Sequence, residues 1–498
     1  MRMNLCQRSA ARAVLAAITL IGAVVPPGTA APLDTTADAA LGQPDLASLA
    51  PNQPAAIPTA GNLALSNAAD IALAPDGRIY VSDADNHRIL SWPDAASFND
   101  GLTADLVIGQ PDFNSAAPNR GRFTTAGADG LFLPQGVDVD PLGNLWVADA
   151  FNNRVLRFDD PTRFDGQADL VIGQRDFDSN GANLGLGDDG AGNALPDSLL
   201  FPGRVLARPD GVWISDSGNS RVLHYAPPTG NKPFADFVLG QFGDFTKRAK
   251  NNNGAGNSFG PPSADNLFNC IGIALDAFGN LYVADWQNHR VLRYDDPLHT
   301  DATADAVFGQ DDFAGAIVDR GGPANGLHLP IDVALGPAGA LFIADSNNHR
   351  VLEFTDPLFD QSVPDRVFGQ LGNLNADTPN HGLGPLTTDA DGLHGPTGIA
   401  LDTARNLFVV DTNNNRALRF DMIRPPTAPA DFDLDGDVDG DDLHRLVSCV
   451  NGLAGQAASP SCGPTDLAAP NGTGMDDYAV LQRCFGGAGV ATDADCAD

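Results

Sequence analysis

The sequence predicts an all-β six-bladed β-propeller with a small C-terminal α-helical calcium-loop module. Three observations predict it: one phrase that returns six times, short strand patterns inside each unit, and an acidic twelve-residue loop after the repeats stop.

The phrase reads Ile79-Tyr-Val-Ser-Asp83, Leu145-Trp-Val-Ala-Asp149, Val212-Trp-Ile-Ser-Asp216, Leu281-Tyr-Val-Ala-Asp285, Leu341-Phe-Ile-Ala-Asp345 and Leu407-Phe-Val-Val-Asp411. Five residues after each Asp stands an Arg: Arg88, Arg154, Arg221, Arg290, Arg350 and Arg416. An Asn stands two residues before each Arg. Paired charges beside a turn can satisfy each other and the turn amides, and a site used once needs no six copies. The Asp and Arg residues are therefore assigned to blade architecture.

Each unit reads as four short strands. In the fourth, Ile273-Ala-Leu275 is an apolar strand, Phe278-Gly-Asn280 a turn, and Leu281 to Ala284 a second strand. Arg290 to Tyr294 is the third strand, and Ala304 to Gln310 the fourth. A single blade cannot bury both faces, so blades must stack. The fourth strand ends in Gly-Gln at Gln110, Gln174, Gln241, Gln310 and Gln370, but the sixth unit stops at Phe420 without one. The missing copy stands near the N-terminus, at Ala37 to Gln43. That segment should supply the outer strand of the last blade and close the ring.

The matching elements resemble the NHL repeat family: an apolar strand ending in Ala-Asp, an Asn-x-Arg turn, and a Val-Leu-Arg-Phe strand. The resemblance covers residues 34–422 and implies a propeller. One departure is the spacing of 60 to 69 residues between successive Asp positions, longer than the compact family unit. The extra residues, such as Asn114 to Gln135, are rich in Gly, Asn and Asp and read as loops. They should rim the face that carries the Asp–Arg turns, where binding is expected.

Some NHL-like propellers, the amidating lyases among them, hold a metal by histidines in the channel. His87, His289 and His349 precede the repeat Arg, where other blades have Asn153, Ser220 and Asn415. Three His could compose a zinc site. These belong to blades one, four and five, without symmetry, and turn polarity explains them instead. Gly185 to Gly190 matches a dinucleotide-binding pattern by letter but lacks its strand and helix. Cys270 reads as a small buried residue.

With a net charge of −34, the surface repels phosphate backbones, so nucleic acid is excluded as a partner. Residues 1–30 read as an export signal: Arg2, Arg8 and Arg12, then an apolar stretch from Ala13 to Val25, then small residues at Gly28-Thr-Ala30. The stretch is short for a membrane span. The expected location is secreted, extracellular or cell-surface, with the periplasm as the alternative.

Residues 423–430 are a proline-rich linker, and residues 431–498 the final module. Asp431, Asp433, Asp435, Asp439 and Asp442 fall at positions 1, 3, 5, 9 and 12 of a loop, with Asp437 at position 7 and Gly436 at position 6. Such a loop converges oxygens on a hard cation, here Ca²⁺. Asp rather than Glu at position 12 resembles dockerin loops more than the usual EF-hand. A second loop from Asp466 to Asp477 has Ala468 and Pro470 where ligands belong and should bind weakly. Cys449, Cys462, Cys484 and Cys496 are expected to form disulfides, paired Cys449–Cys462 and Cys484–Cys496 by equivalent spacing, though four cysteines allow three connectivities.

The leading expectation is a non-enzymatic binding scaffold. Its propeller face would bind a protein, peptide or glycan, and its dockerin-like tail would meet a cohesin-like or cell-surface partner. The rival is an extracellular enzyme, a metal-dependent lyase or lactonase-like hydrolase.

Overall fold

The computed structural model describes residues 35–422, apart from 53–57, 60–61, 66–68, 96–97, 123, 164–165, 187–193, 255–257, 325, 337–338, 359–362. The expected export signal, the expected linker and the acidic C-terminal segment expected to hold calcium loops and disulfides lie outside the described residues.

Strands are numbered β1 to β24 in chain order. They form six separate antiparallel sheets of four strands each, a six-bladed propeller. Blade one is β2 (Ile71–Leu73), β3 (Ile79–Asp83), β4 (Arg88–Trp92) and β5 (Leu106–Ile108), paired in that order. The other inner strands are β6 (Val137–Val139), β10 (Pro202–Arg208), β14 (Ile273–Leu275), β18 (Pro330–Leu335) and β22 (Pro396–Leu401). No α-helix occurs among the described residues.

Strand alternation explains the stacking. In β3, Ile79 and Val81 join an apolar cluster with Phe408 and Val410 of blade six. Tyr80 between them joins Leu145 and Val147 of blade two. Successive side chains point to opposite faces, so each blade is glued to both neighbours.

Blade six is built from both ends of the described chain. β1 (Ala39–Leu41) pairs antiparallel with β24 (Arg416–Phe420), Ala39 facing Arg419 and Leu41 facing Ala417. Ala40 and Leu41 are fully buried, so the closure covers an edge that would otherwise be unpaired.

The Gly of each Gly-Gln has φ between 81° and 91°. A leucine fills the space beside it. A Cβ on Gly109 would stand 2.6 Å from Leu131, and one on Gly369 would stand 2.6 Å from Leu393. Glycine is required there by both conformation and room.

Candidate functional site: the turn face and the central channel

The Asp–Arg turns form a ring on one face. In blade one, Asp83 accepts hydrogen bonds from the Ala64 amide at 2.7 Å, Asn86 Nδ2 at 2.8 Å and Arg88 Nε at 2.5 Å. The other nitrogens of Arg88 donate to carbonyls of Thr59 at 3.0 Å, Asn62 at 3.1 Å and Phe113 at 2.5 Å. The six Asp–Arg ion pairs measure 2.5 to 2.8 Å, and every one of these side chains is 0% exposed. Burial pushes the Asp83, Asp216 and Asp345 carboxyls up, against the pull of their arginines. Each Arg thus clamps the loop before it and the loop after it.

The glutamine of Gly-Gln completes the clasp. Gln110 Nε2 donates to the carbonyls of His87 at 3.0 Å and Ala117 at 2.9 Å, and Gln174, Gln241 and Gln370 do the same in their blades. Nine residues after Gln110, Asn119 exchanges amide hydrogen bonds with Asn152 at 3.1 and 2.7 Å. The inserts, read from sequence as loops available for binding, therefore begin as repeated clasps that hold the turns. Composition shows that such a segment is a loop and not what it touches.

The residue before each repeat Arg is left-handed, with φ from 51° to 54° at His87, Asn153, Ser220, His289, His349 and Asn415. Asn and His tolerate that region better than bulkier side chains. Each side chain accepts an amide of the next blade. His87 Nδ1 accepts from Leu133 at 3.2 Å, His289 Nδ1 from Leu329 at 3.1 Å and His349 Nδ1 from Gly395 at 3.1 Å. Asn153, Ser220 and Asn415 accept in the same way from Phe201, Asn269 and Leu65 at 3.0, 3.2 and 2.9 Å. Turn polarity was too weak a description: these six residues staple blade to blade. An accepting Nδ1 requires neutral imidazole. Burial lowers the pKa of His87 and His289, and that of His349 falls to about 4 through burial and the nearby His394 and His328.

Three phenylalanines line part of this face. Phe132 packs on Phe151 with ring centroids 5.2 Å apart, and Phe151 on Phe201 at 5.2 Å. Phe151 and Phe201 are each 39% exposed, and His87 meets Phe132 edge-on at 5.3 Å. Phe151 sits on a clasped turn, so its backbone is fixed while its ring reaches solvent.

A second ring lies in the channel, at the residue preceding or opening the paired part of each inner strand. Around the six blades it reads Asp70, Gly136, Arg204, Gly272, Asp332 and Gly398. Arg204 Nε lies 3.3 Å from Asp70 and 3.3 Å from Asp332, and the three are no more than 4% exposed. Arg204 also donates to the Thr397 carbonyl at 2.8 Å. Asp70 accepts the Val137 amide at 3.0 Å and Asp332 the Ile399 amide at 3.0 Å, each from the following blade. A Cβ on Gly136, Gly272 or Gly398 would stand 2.5 to 2.7 Å from the Cα of Arg204, Asp332 or Asp70. Charged residues alternate with glycines because the ring has no room for six side chains. Burial, with the neighbouring Asp332, holds Asp70 up at about 7 despite Arg204, and burial raises Asp332 as well. Burial disfavours the Arg204 charge, yet Asp332 and Asp70 outweigh it and raise its pKa.

A cavity of about 230 Å³ runs from this triad along the inner strands toward the β-hairpin ends. Asp138 and Arg208 pair on its wall at 3.1 Å. The channel metal of the rival enzyme reading does not fit these residues. Arg204 occupies the throat between the carboxylates, and no group of three or more His, Cys, Asp or Glu among the described residues could hold an ion. Cys270 is fully buried, and burial raises its thiol pKa well above the usual value.

Residues 65–90, 133–158 and 327–354 match the NHL repeat. Three of the six blades carry NHL repeats. No curated protein matches the chain. Solved propellers are similar at low identity. Virginiamycin B lyase from Staphylococcus aureus is 12% identical over 70% of this chain and 78% of its own, with a TM-score of 0.37. A gluconolactonase from Xanthomonas campestris is 16% identical over 80% and 99%, with a TM-score of 0.39. Kuenenia stuttgartiensis hydrazine synthase is 14% identical over 72% and 97%, with a TM-score of 0.40. Likenesses this distant carry no chemistry to this chain. No described helix is long and apolar enough to cross a membrane.

Proposed function

We propose that this NHL-repeat propeller is an exported binding scaffold that engages a protein or peptide through its turn face. The observation that carries the reading is the arc of Phe132, Phe151 and Phe201, presented to solvent on clasped turns. Aromatic anchors held by a rigid backbone lose little entropy on binding and dominate interface energy. The same face offers the repeat Asp and Arg side chains no chemical role, because all of them are buried in the clasps.

The dockerin-like tail extends the proposal. Asp431, Asp433, Asp435, Asp437, Asp439 and Asp442 would hold Ca²⁺, and the ordered loop would attach the propeller to a cohesin-like or cell-surface partner. Crowded carboxylates repel one another without a cation, so binding and ordering should be coupled.

The test is a peptide and glycan panel probed with the full chain and with Phe151→Ala/Phe201→Ala. Loss of at least tenfold in affinity at unchanged melting temperature supports the arc as the site. A ligand that binds both proteins equally removes it. Calorimetry with calcium tests the tail: Asp442→Ala should weaken binding strongly and Asp477→Ala much less. Equal losses would overturn the loop assignment.

A further inference from the structure

The insert between blades three and four departs from the others in backbone and in charge. In four inserts a short 3₁₀ turn follows the Gly-Gln, at Pro118–Gly121, Ala182–Gly185, Val318–Gly321 and Pro379–Gly382. Here an antiparallel bridge pairs Asn252 with Phe259, and Gly260 donates its amide to the Asn251 carbonyl at 2.7 Å. The chain has a net charge of −34 and only three lysines, and two of those stand in this insert beside an arginine, as Lys247, Arg248 and Lys250. Residues 242–268 hold these three cations against Asp244 and Asp265, a local charge of +1, whereas every other insert is neutral or negative.

The cations meet an aromatic surface. Lys250 Nζ lies 5.1 Å from the centre of the Phe268 ring, and Phe259 packs on that ring edge-to-face at 6.2 Å. Phe259 is 67% exposed, and Lys250 is exposed beside it. Lys232 and Lys247 face Asp197 and Asp244 at 3.3 and 3.8 Å, but Lys250 has no carboxylate within 4.0 Å among the described residues. Arg248 is buried, which leaves Lys247 and Lys250 as the cations a partner meets. The backbone beneath them is fixed. Phe268 is the counterpart of Phe132: each donates its amide to the repeat Asp of its blade, Asp285 or Asp149, at 2.7 Å. Asn251, next to Lys250, exchanges amide hydrogen bonds with Asn288 at 2.9 and 2.8 Å. The patch therefore stands on the turn face, on the same kind of clasp as the aromatic arc.

We propose that the partner of the turn face is a short acidic peptide segment, with a carboxylate on Lys250 and Lys247 and an adjacent apolar side chain on Phe259 and Phe268. The inference rests on the reading of the turn face as a peptide-binding surface, and it names the chemistry of the partner. An exposed ammonium has three donors, and a position over a ring face leaves some of them directed at solvent, where a carboxylate can accept them. The aromatic pair beside it supplies apolar area at little entropic cost. The charge of the whole chain opposes an anion only at short range. At physiological ionic strength charges beyond about 8 Å are largely screened, so the local cations decide. A long polyanion would run off the patch onto acidic surface, which favours a short segment.

The test uses the full chain and three synthetic peptides, acetylated and amidated, read by calorimetry at neutral pH. The first is Glu-Asp-Phe-Leu-Asp-Glu. The second replaces its four acids by Gln and Asn, and the third replaces Phe and Leu by Ala. The first should bind at millimolar concentration or better, weaken as salt is raised, and exceed each of the other two at least tenfold. Lys247→Gln/Lys250→Gln should cut its affinity at least tenfold and flatten the salt dependence. Phe259→Ala should cut it at least fivefold. These side chains reach solvent, so the melting temperature should not change and the loss can be read as binding. Phe151→Ala/Phe201→Ala separates the two readings. Binding of the acidic peptide that survives this pair but not the lysine pair upholds the patch and removes the arc. Binding lost in the arc variant and kept in the lysine variant overturns the patch and leaves the arc. Equal affinity for the acidic and amide peptides, or no heat from the acidic peptide, also overturns the proposal.

Discussion

The ring of turns and the ring in the channel each sample all six blades once, and they obey opposite rules. At the turns every blade repeats Asp, Asn and Arg, and even the variable slot keeps one task, accepting an amide from the next blade. In the channel the equivalent positions diverge into two Asp, one Arg and three Gly. The turn ring can repeat because each clasp is satisfied within its own blade and the loops beside it. The channel ring cannot, since its members converge on one axis. Six like charges there would repel, and six side chains would collide. Repetition marks what holds a blade, and broken repetition marks where the blades meet.

The largest effect tests whether the turn ring tolerates a gap. Deleting residues 31–46 removes β1, the Gln43 clasp and the Leu46 carbonyl that Arg416 holds. The loss of buried Leu41 and of a partner to a buried Arg should cost about 5 kcal/mol or more, seen as aggregation and a lower melting temperature. A monomeric, equally stable deletion would show that closure is dispensable.

Within an intact ring, Arg290→Ala strips Asp285 of its cation and leaves the carbonyls of Phe313 and Ser263 without a donor. The expected loss in denaturant titration is about 3–5 kcal/mol. Arg290→Lys should recover only part of it, because an ammonium cannot span the three directions of the guanidinium fork.

The channel ring should respond in the opposite sense at neutral pH. The folded pKa of Asp70, about 7, lies above its unfolded value, so the folded state binds more protons in the interval between them. Wild-type stability therefore contains a contribution present at acid pH and lost as pH rises toward 7. Asp70→Asn lacks that dependence, and its stability relative to wild type should climb from about pH 4 to 7 and then level off. A difference flat across that range would show that Asp70 is ionised throughout.

The smallest effect concerns His349. Its folded pKa, about 4, lies below the unfolded value, so its contribution is complete above about pH 6.5 and lost as pH falls toward 4. His349→Asn should retain the staple to Gly395, as Asn153 and Asn415 do in their blades, with a change at pH 7 of about 0.5–1 kcal/mol. It should also flatten the acid limb of the stability curve. A collapse at pH 7 would mean that the imidazole does more than accept one amide.

Sixfold features could be read from sequence because repetition multiplies a weak signal. The strand order, the closure by Ala37 to Gln43 and the Asp–Arg spacing all belong to that class. The clasps were half legible. Gly-Gln stood out, but the leucine beneath each Gly and the asparagine (Asp319 after Gln310) nine or ten residues after each Gln are common residues inside loops of varying length. The channel triad was invisible. Each member occurs once, and the shortened β10 hairpin places Arg204 12 residues before its repeat Asp, whereas Asp70 and Asp332 stand 13 before theirs. The aromatic arc draws Phe132, Phe151 and Phe201 from two blades, and neither spacing nor composition joins them.

The antiparallel pairing of β1 with β24 also sets how the ring would respond to force. Ala39, at the start of β1, lies opposite Arg419, near the end of β24, so both chain ends depart from the same end of the pair. Tension between them would load the hydrogen bonds one after another, as a zipper opens, rather than all at once in shear. The seam would therefore part at low force and release a ring that the six clasps otherwise hold shut.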